Sequence, residues 1–364
     1  MPDSPGIVVV YGTRPEAIKL GPVIRALRAR QGVRVTALCT GQHRELLANA
    51  EATVASAPDI ELSLMQPGQT PLQFIARATE RLDVALRDLS PRMLIAQGDT
   101  ATAFAAVLGA FHMKILTGHV EAGLRTYRLD APFPEEAYRQ MIDRVATRLY
   151  APTAGARENL IHEGRAAADV VVTGNTGIDA VLELEHRGVG RCLGTPPFVL
   201  ATLHRREAFG PPLEAMCRAL LRIAREGGLG VVLPVHPNPN VQRTVQTLLA
   251  KEPNITLTDP LAYPDLVQTM LGALCVITDS GGIQEEAPTL GVPVLVTRET
   301  TERPEAIEAG SAALVGFSEE RIVQEVLRLH RDPRAHAAMA VKRPVYGDGR
   351  ASERIADDVM RVLL

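Results

Sequence analysis

Cysteine is scarce in this 364-residue sequence: Cys39, Cys192, Cys217 and Cys275 stand far apart and form no CxxC pair. That spacing argues against a zinc site or a disulfide framework and predicts four buried thiols in a reducing cytoplasm. Long apolar runs are missing too. None approaches the ~18 residues of a membrane span, and residues 1–6 lead into a strand without the pattern of a signal peptide. An excess of positive charge is also lacking: 39 Lys and Arg stand against 42 Asp and Glu, for a net charge of −3. No basic field exists to hold a nucleic-acid backbone, so the cations must act as single contacts.

Apolar residues, by contrast, make up 46% of the chain and charged residues 22%, a balance that suits a large buried core and not disorder. The length suffices for about two domains. Short apolar, β-branched runs at residues 7–11, 33–39, 92–96, 114–117 and 170–173 alternate with helical patterns such as 16–30 and 71–89. Their apolarity is continuous, which predicts parallel strands covered on both faces. The pattern restarts with runs at 198–203, 230–235, 255–258, 275–278 and 292–296, after a Gly- and Pro-rich stretch at 187–197. The domain boundary is therefore expected near 174–196. A last helix over 352–364 carries Ile355, Ala356, Val359, Met360 and Leu363 on one face. The fold class expected is α/β, with two doubly wound, Rossmann-like domains.

Ligands of open α/β sheets bind beyond the carboxyl ends of the strands, so the residues just after each strand carry the functional signal. After the first strand comes Gly12-Thr13-Arg14-Pro15-Glu16-Ala17-Ile18-Lys19. Gly12 suits a tight turn, Thr13 a helix cap and Pro15 a first helical turn. The N–H groups there, with Arg14 and Lys19, would favour an anion. This is neither GxGxxG nor a P-loop, so NAD binding and ATP hydrolysis are disfavoured. Gln97-Gly98-Asp99-Thr100 follows a later strand, and taken alone Asp99 reads as a helix cap. His119-Val120-Glu121-Ala122-Gly123-Leu124-Arg125-Thr126 follows the next, and then Pro132-Phe133-Pro134-Glu135-Glu136. Glu135 and Arg139 stand i,i+4 on one helix face, behind two prolines that fix the backbone. In the second half His204-Arg205-Arg206-Glu207 and His236-Pro237-Asn238-Pro239 end strands of one sheet. Finally, Thr278-Asp279-Ser280-Gly281-Gly282-Ile283-Gln284-Glu285-Glu286-Ala287 runs from strand to turn to helix. Ser280, Gly281 and Gly282 let backbone N–H groups approach a diphosphate, and Glu286 can accept from ribose hydroxyls. Thr300-Thr301-Glu302-Arg303-Pro304-Glu305 follows the next strand.

These segments, in this order over almost the whole chain, resemble the non-hydrolysing UDP-N-acetylglucosamine 2-epimerases. The resemblance implies a glycosyltransferase-B-like architecture with a cleft between the domains. The N-terminal domain would comprise 1–175 completed by 350–364, and the UDP-binding domain 176–349. It implies reversible inversion of C2 of UDP-N-acetylglucosamine, by anti elimination of UDP and its re-addition to 2-acetamidoglucal. No cofactor and no metal are implied. The partner is a small nucleotide sugar, with no nucleic acid and no membrane, and a cytoplasmic homodimer is the family expectation. Asp99, Glu121 and Glu135 become the candidate acid/base groups. Arg14, His204, Ser280, Gly281 and Gly282 would stabilise the departing diphosphate, and Glu286 would hold the ribose. Lys19, Arg139 and His236 become support or substrate contacts. A second, regulatory site would use Gln42, His43, Glu45, Gly68, Arg205 and His236. Glu45 and Gly68 depart there from the Gln and Arg of some regulated members, which predicts weak or absent activation. Tyr138 and Ala208 replace a common Asn. They keep open a C2 epimerase of a related UDP-acetamido sugar, beside a hydrolysing epimerase or a UDP-sugar glycosyltransferase.

Overall fold

The structure, a computed structural model, describes residues 4–41, 57–66, 68–189, 197–203 and 208–364. The chain divides into two compact units, Met1–Ala180 with Tyr346–Leu364, and Val181–Val345. Each unit is an α/β layer structure around its own parallel sheet.

In the first unit the order is β1 (Gly6–Tyr11), α1 (Arg14–Arg28), β2 (Arg34–Cys39), β3 (Ile60–Glu61), α2 (Pro71–Leu89), β4 (Met93–Gln97), α3 (Ala101–His112), β5 (Leu116–Val120), α4 (Glu135–Val145), β6 (Arg148–Ala151), α5 (Ala154–His162) and β7 (Val170–Val172). Its strands lie in the order β3-β2-β1-β4-β5-β6-β7, and every pairing is parallel. Strands β1 and β4 are buried on both faces. A strand with no solvent side has no polar position to alternate with, hence the unbroken apolar run in the sequence. Helix α6 (Thr176–His186) carries the chain across the division.

The second unit contains β8 (Phe198–Thr202), α7 (Pro211–Gly227), β9 (Gly230–Pro234), α8 (Pro239–Leu249), β10 (Ile255–Thr258), α9 (Tyr263–Gly272), β11 (Val276–Thr278), α10 (Gly281–Thr289), β12 (Val294–Val296), α11 (Glu305–Glu308), β13 (Ala312–Leu314), α12 (Glu319–Arg331) and α13 (Pro333–Met339). The sheet order is β10-β9-β8-β11-β12-β13, again all parallel. The last helix, α14 (Ala351–Leu363), belongs to the first unit. Its Ile355, Ala356, Val359 and Leu363 join Leu20, Ile24 and Leu27 of α1 in one core cluster.

Both sheets reverse their winding beside the first strand, between β1 and β4 in one and between β8 and β11 in the other. Such a reversal splays neighbouring βα loops apart and opens a crevice at the carboxyl ends of the strands. Among the described residues no helix is long and apolar enough to cross a membrane. Cys39, Cys217 and Cys275 are buried thiols that form no disulfide with one another. Burial pushes the Cys217 thiol up to about 12, with Glu214 adding to the rise. Cys192 lies outside the described residues.

Candidate active site

In the first unit the polar side chains gather at the switch point, on the loops after β1, β4 and β5. Gly12 follows β1, and its place is set by close approach. A Cβ there would stand 2.2 Å from Thr40 Oγ1 and 2.3 Å from Thr102 Oγ1. Those two hydroxyls hydrogen-bond each other at 2.9 Å. The φ of Gly12 is not positive, so the tight-turn reading gives way to a packing reason.

Glu16 alters the picture at the N-terminus of α1. Its carboxylate accepts from the N–H groups of Gly12 at 3.0 Å and Thr13 at 2.7 Å, and from Thr100 Oγ1 at 2.6 Å. Burial pushes this carboxyl above its ordinary range, and the Thr100, Thr13 and Gly12 donors pull back against that rise. The anion at this helix end is thus a side chain of the helix itself. Lys19, read from the sequence as part of an anion site, places Nζ 2.7 Å from Glu121 Oε1, and both groups are buried. Arg14 is half-buried at the first position of α1.

Glu121 follows β5 with φ at 70°, in the left-handed region that a residue with a Cβ rarely adopts. Two backbone bonds fix the turn, from Glu121 N and Ala122 N to the carbonyl of Tyr150 at 3.0 and 3.1 Å. Asn175 Nδ2 donates to Glu121 Oε1 at 3.1 Å, and Gln97 Nε2 donates to Oε2. Such a conformation costs of order 1–3 kcal/mol and concentrates at sites where a side chain must be aimed.

Asp99 is not the cap of α3. Thr100 takes that role, accepting from Ala103 N at 3.1 Å. Asp99 is instead ion-paired with Arg139 Nη2. Arg139 also lies 3.4 Å from Glu136, a fully buried carboxylate. Glu136 in turn accepts from Thr126 N at 3.1 Å and Tyr127 N at 3.0 Å, so it pins the loop ahead of α4. Glu135, half-buried, opens α4 one turn before Arg139, after cis bonds at Ala131–Pro132 and Phe133–Pro134. Asp99, Glu121 and Glu135 therefore surround one end of one sheet. Tyr138 stacks on Phe104 with centroids 5.0 Å apart, and burial first, then Glu135, raises its phenol.

Behind this cluster lies a layer that the strand-end reading left unassigned. His119 is fully buried, with Nδ1 2.6 Å from Asp143 Oδ1 and Nε2 2.8 Å from the Gly98 carbonyl. Asp143 also faces Arg125 at 2.8 Å and accepts from Gly123 N at 3.0 Å. Burial alone would raise Asp143, but the His119 ring and the Arg125 guanidinium override it and hold the carboxyl below its usual range. Gln97, Asn175 and Asp143 are the supports that sequence reasoning did not single out as site residues.

In the second unit, Ser280 caps α10 and its N–H donates to Thr278 Oγ1 at 2.9 Å. Helix geometry leaves the N–H groups of the first turn, Gly281 and Gly282 among them, without intrahelical acceptors. A Cβ on Gly281 would meet the Arg303 guanidinium at 2.8 Å. That guanidinium is held by Glu285 at 2.5 Å and by Glu302, which also takes Arg298 at 2.7 Å. A buried ion network thus braces the start of α10. Glu286 is buried one turn along, and its Oε1 lies 3.4 Å from the Cβ position of Gly282. His236 is half-buried, and its Nδ1 accepts from Asn238 N at 3.2 Å. Ala208 lies in the apolar core of this unit. Gly68 has φ of 71° with open space around it. His204 and Arg205, with Gln42, His43 and Glu45, lie outside the described residues.

Two parallel sheets, each with its own switch point, define the class: a two-unit α/β fold of the glycosyltransferase-B-like kind. The chain belongs to the UDP-N-acetylglucosamine 2-epimerase family, whose model matches residues 25–360. It is 43% identical to a protein of Ralstonia nicotianae described as a probable UDP-N-acetylglucosamine 2-epimerase, covering 96% of this chain and 97% of that one. It is 42% identical to the UDP-N-acetylglucosamine 2-epimerase of Escherichia coli K12, covering 96% and 97%. The crystal structure of the Neisseria meningitidis enzyme bound to UDP-GlcNAc superposes with a TM-score of 0.93. That enzyme is 37% identical, and the match covers 98% of this chain and all of the other.

Proposed function

We propose that this protein interconverts UDP-N-acetylglucosamine and UDP-N-acetylmannosamine by eliminating UDP and adding it back. The observation that carries the reading is Glu121, a buried carboxylate forced into left-handed backbone beside a lysine, in a chain of the epimerase family.

The C2 proton of the sugar adjoins no carbonyl and is weakly acidic. A carboxylate takes it, the C2–H electron pair becomes the C1–C2 double bond, and the C1–O pair leaves with UDP. A positioned base supplies ~10²–10⁴-fold, so most of the acceleration comes from stabilising the departing diphosphate. Ser280, Gly281 and Gly282 at the helix start suit that task, with Arg14 and His204 as the cationic candidates and Glu286 on the ribose. Return of UDP with a proton on the opposite face of C2 gives the epimer. Access to two faces calls for more than one acid/base group, and Asp99, Glu121 and Glu135 are the candidates. Lys19 favours the ionised form of Glu121 and so suits it to accept a proton.

Incubation with UDP-GlcNAc in deuterium oxide should place deuterium at C2 of both epimers, and Glu121→Gln should reduce that exchange by about 10²-fold or more. Wild-type protein that turns over without C2 exchange overturns the reading. Release of UDP in step with turnover would mark a hydrolysing enzyme or a transferase instead.

A further inference from the structure

We infer that Gln97 and Asn175 are positioning residues for the reaction: two neutral amides, one on each oxygen, that hold the Glu121 carboxylate ionised and aimed. The inference rests on the reading of Glu121 as an acid/base group.

The geometry is specific. Gln97 Nε2 donates to Oε2, while Asn175 Nδ2 and Lys19 Nζ donate to Oε1. An amide NH₂ cannot accept, so both bonds are at full strength only when the carboxylate carries its charge. Both amides are themselves nearly inaccessible, at 4% for Gln97 and 1% for Asn175. Asn175 is also fixed from its other side. Its Oδ1 accepts from Gly177 N at 3.0 Å, and its own N–H donates to the Tyr346 carbonyl at 2.6 Å. The amide is thereby oriented before substrate arrives, which is what a positioning group requires. Gln97 is the last residue of β4, paired in register with Val120 of β5. Sheet pairing therefore delivers its side chain beside the next residue, Glu121.

Among the described residues, the neighbouring elements place these further groups around Glu121. From α1 comes Lys19. From β6 comes the Tyr150 carbonyl, which takes the Glu121 N–H. On β5 itself His119 spends both ring nitrogens on Asp143 and Gly98, and Asp99 is paired with Arg139. Replacing an amide by a carboxyl would thus set a second acid directly against Glu121.

Gln97→Glu and Asn175→Asp keep side-chain size and test this from the two oxygens independently. Each should move the acidic limb of the kcat/KM profile upward by about one pH unit or more, with KM for UDP-GlcNAc within about twofold of wild type. Gln97→Met, which removes the donor without adding charge, should move the limb less. A merely structural role would lower rate and folded yield at every pH and leave the limb in place, and that result overturns the inference. A substrate-free measurement separates it from the reading of the reaction. The ¹³C carboxyl titration of Glu121, assigned by its loss in Glu121→Gln, should rise in midpoint in both amide-to-acid variants. If that midpoint stays put, the amides do not hold the charge, whatever the reaction. If it rises while wild-type protein shows no C2 exchange, the amide cage stands and the assignment of the reaction falls.

Discussion

No side chain fits at Gly12. The hydroxyls of Thr40 and Thr102, both fully buried, occupy the space a methyl would take. Gly12→Ala should destabilise the protein by about 1–3 kcal/mol, the range for overpacking a closed core, read as a lower urea midpoint with unchanged slope. At this scale some residues announce themselves and others do not. Glu121 and Asp99 draw notice because each is an acidic residue a few positions beyond an apolar run, where α/β sheets bind ligands. Lys19 stands out as a cation, but its carboxylate partner lies 102 positions away, and nothing local in the sequence marks the pairing. Gln97 and Asn175 carry no local mark at all. A neutral amide fits any loop, and only the sheet brings these two to Glu121 from 24 and 54 positions off.

At the scale of elements, the strands that could be read are apolar runs holding at least one β-branched residue, whether buried throughout like β1 or partly exposed like β7 and β10. Strand β6, Arg-Leu-Tyr-Ala, and β13, Ala-Ala-Leu, escape because they are short and contain no β-branched residue. The start of a helix is likewise ambiguous from sequence. Both α1 and α10 open after a strand with small residues. In α1, however, Glu16 folds back to occupy the N–H groups of Gly12 and Thr13, whereas α10 holds its own acid, Glu286, a turn along. The entry into α14 yields a pH prediction. Asp348 forms a two-pronged pair with Arg354, 2.7 Å on each side, and Arg354 also donates to the Thr173 carbonyl at 2.9 Å. Hydrogen bonding from Arg354 is the main reason that Asp348 is lowered to about 2. A depressed carboxyl stabilises the fold above its unfolded value and loses that contribution as pH falls through the folded one. The pair is half-exposed, so Asp348→Asn should cost at most about 1 kcal/mol at pH 7. Urea titrations should show the gap from wild type closing between about pH 4 and pH 2.

At the scale of the molecule, each unit owns a core, but only one owns a continuous stretch of chain. The first unit borrows residues 346–364 from the far end. Ile355, Val359 and Leu363 each contribute ~1.5–3 kcal/mol by burial against α1, a large share of the ~5–15 kcal/mol that separates native from unfolded states. Removal of 346–364 should therefore strip hydrogen-exchange protection from β1 and α1 and leave it in β8, β9 and β11. Equal loss in both sheets would contradict this independence. The same arrangement sets an order of events on the ribosome. Residues 181–345 are synthesised in full before α14, so the earlier-made sheet awaits its closing helix. Synthesis of this chain thus completes its second half before its first, the reverse of the usual N-to-C progression. Until α14 has been made, the side of α1 that packs on Ile355, Val359 and Leu363 lacks its cover.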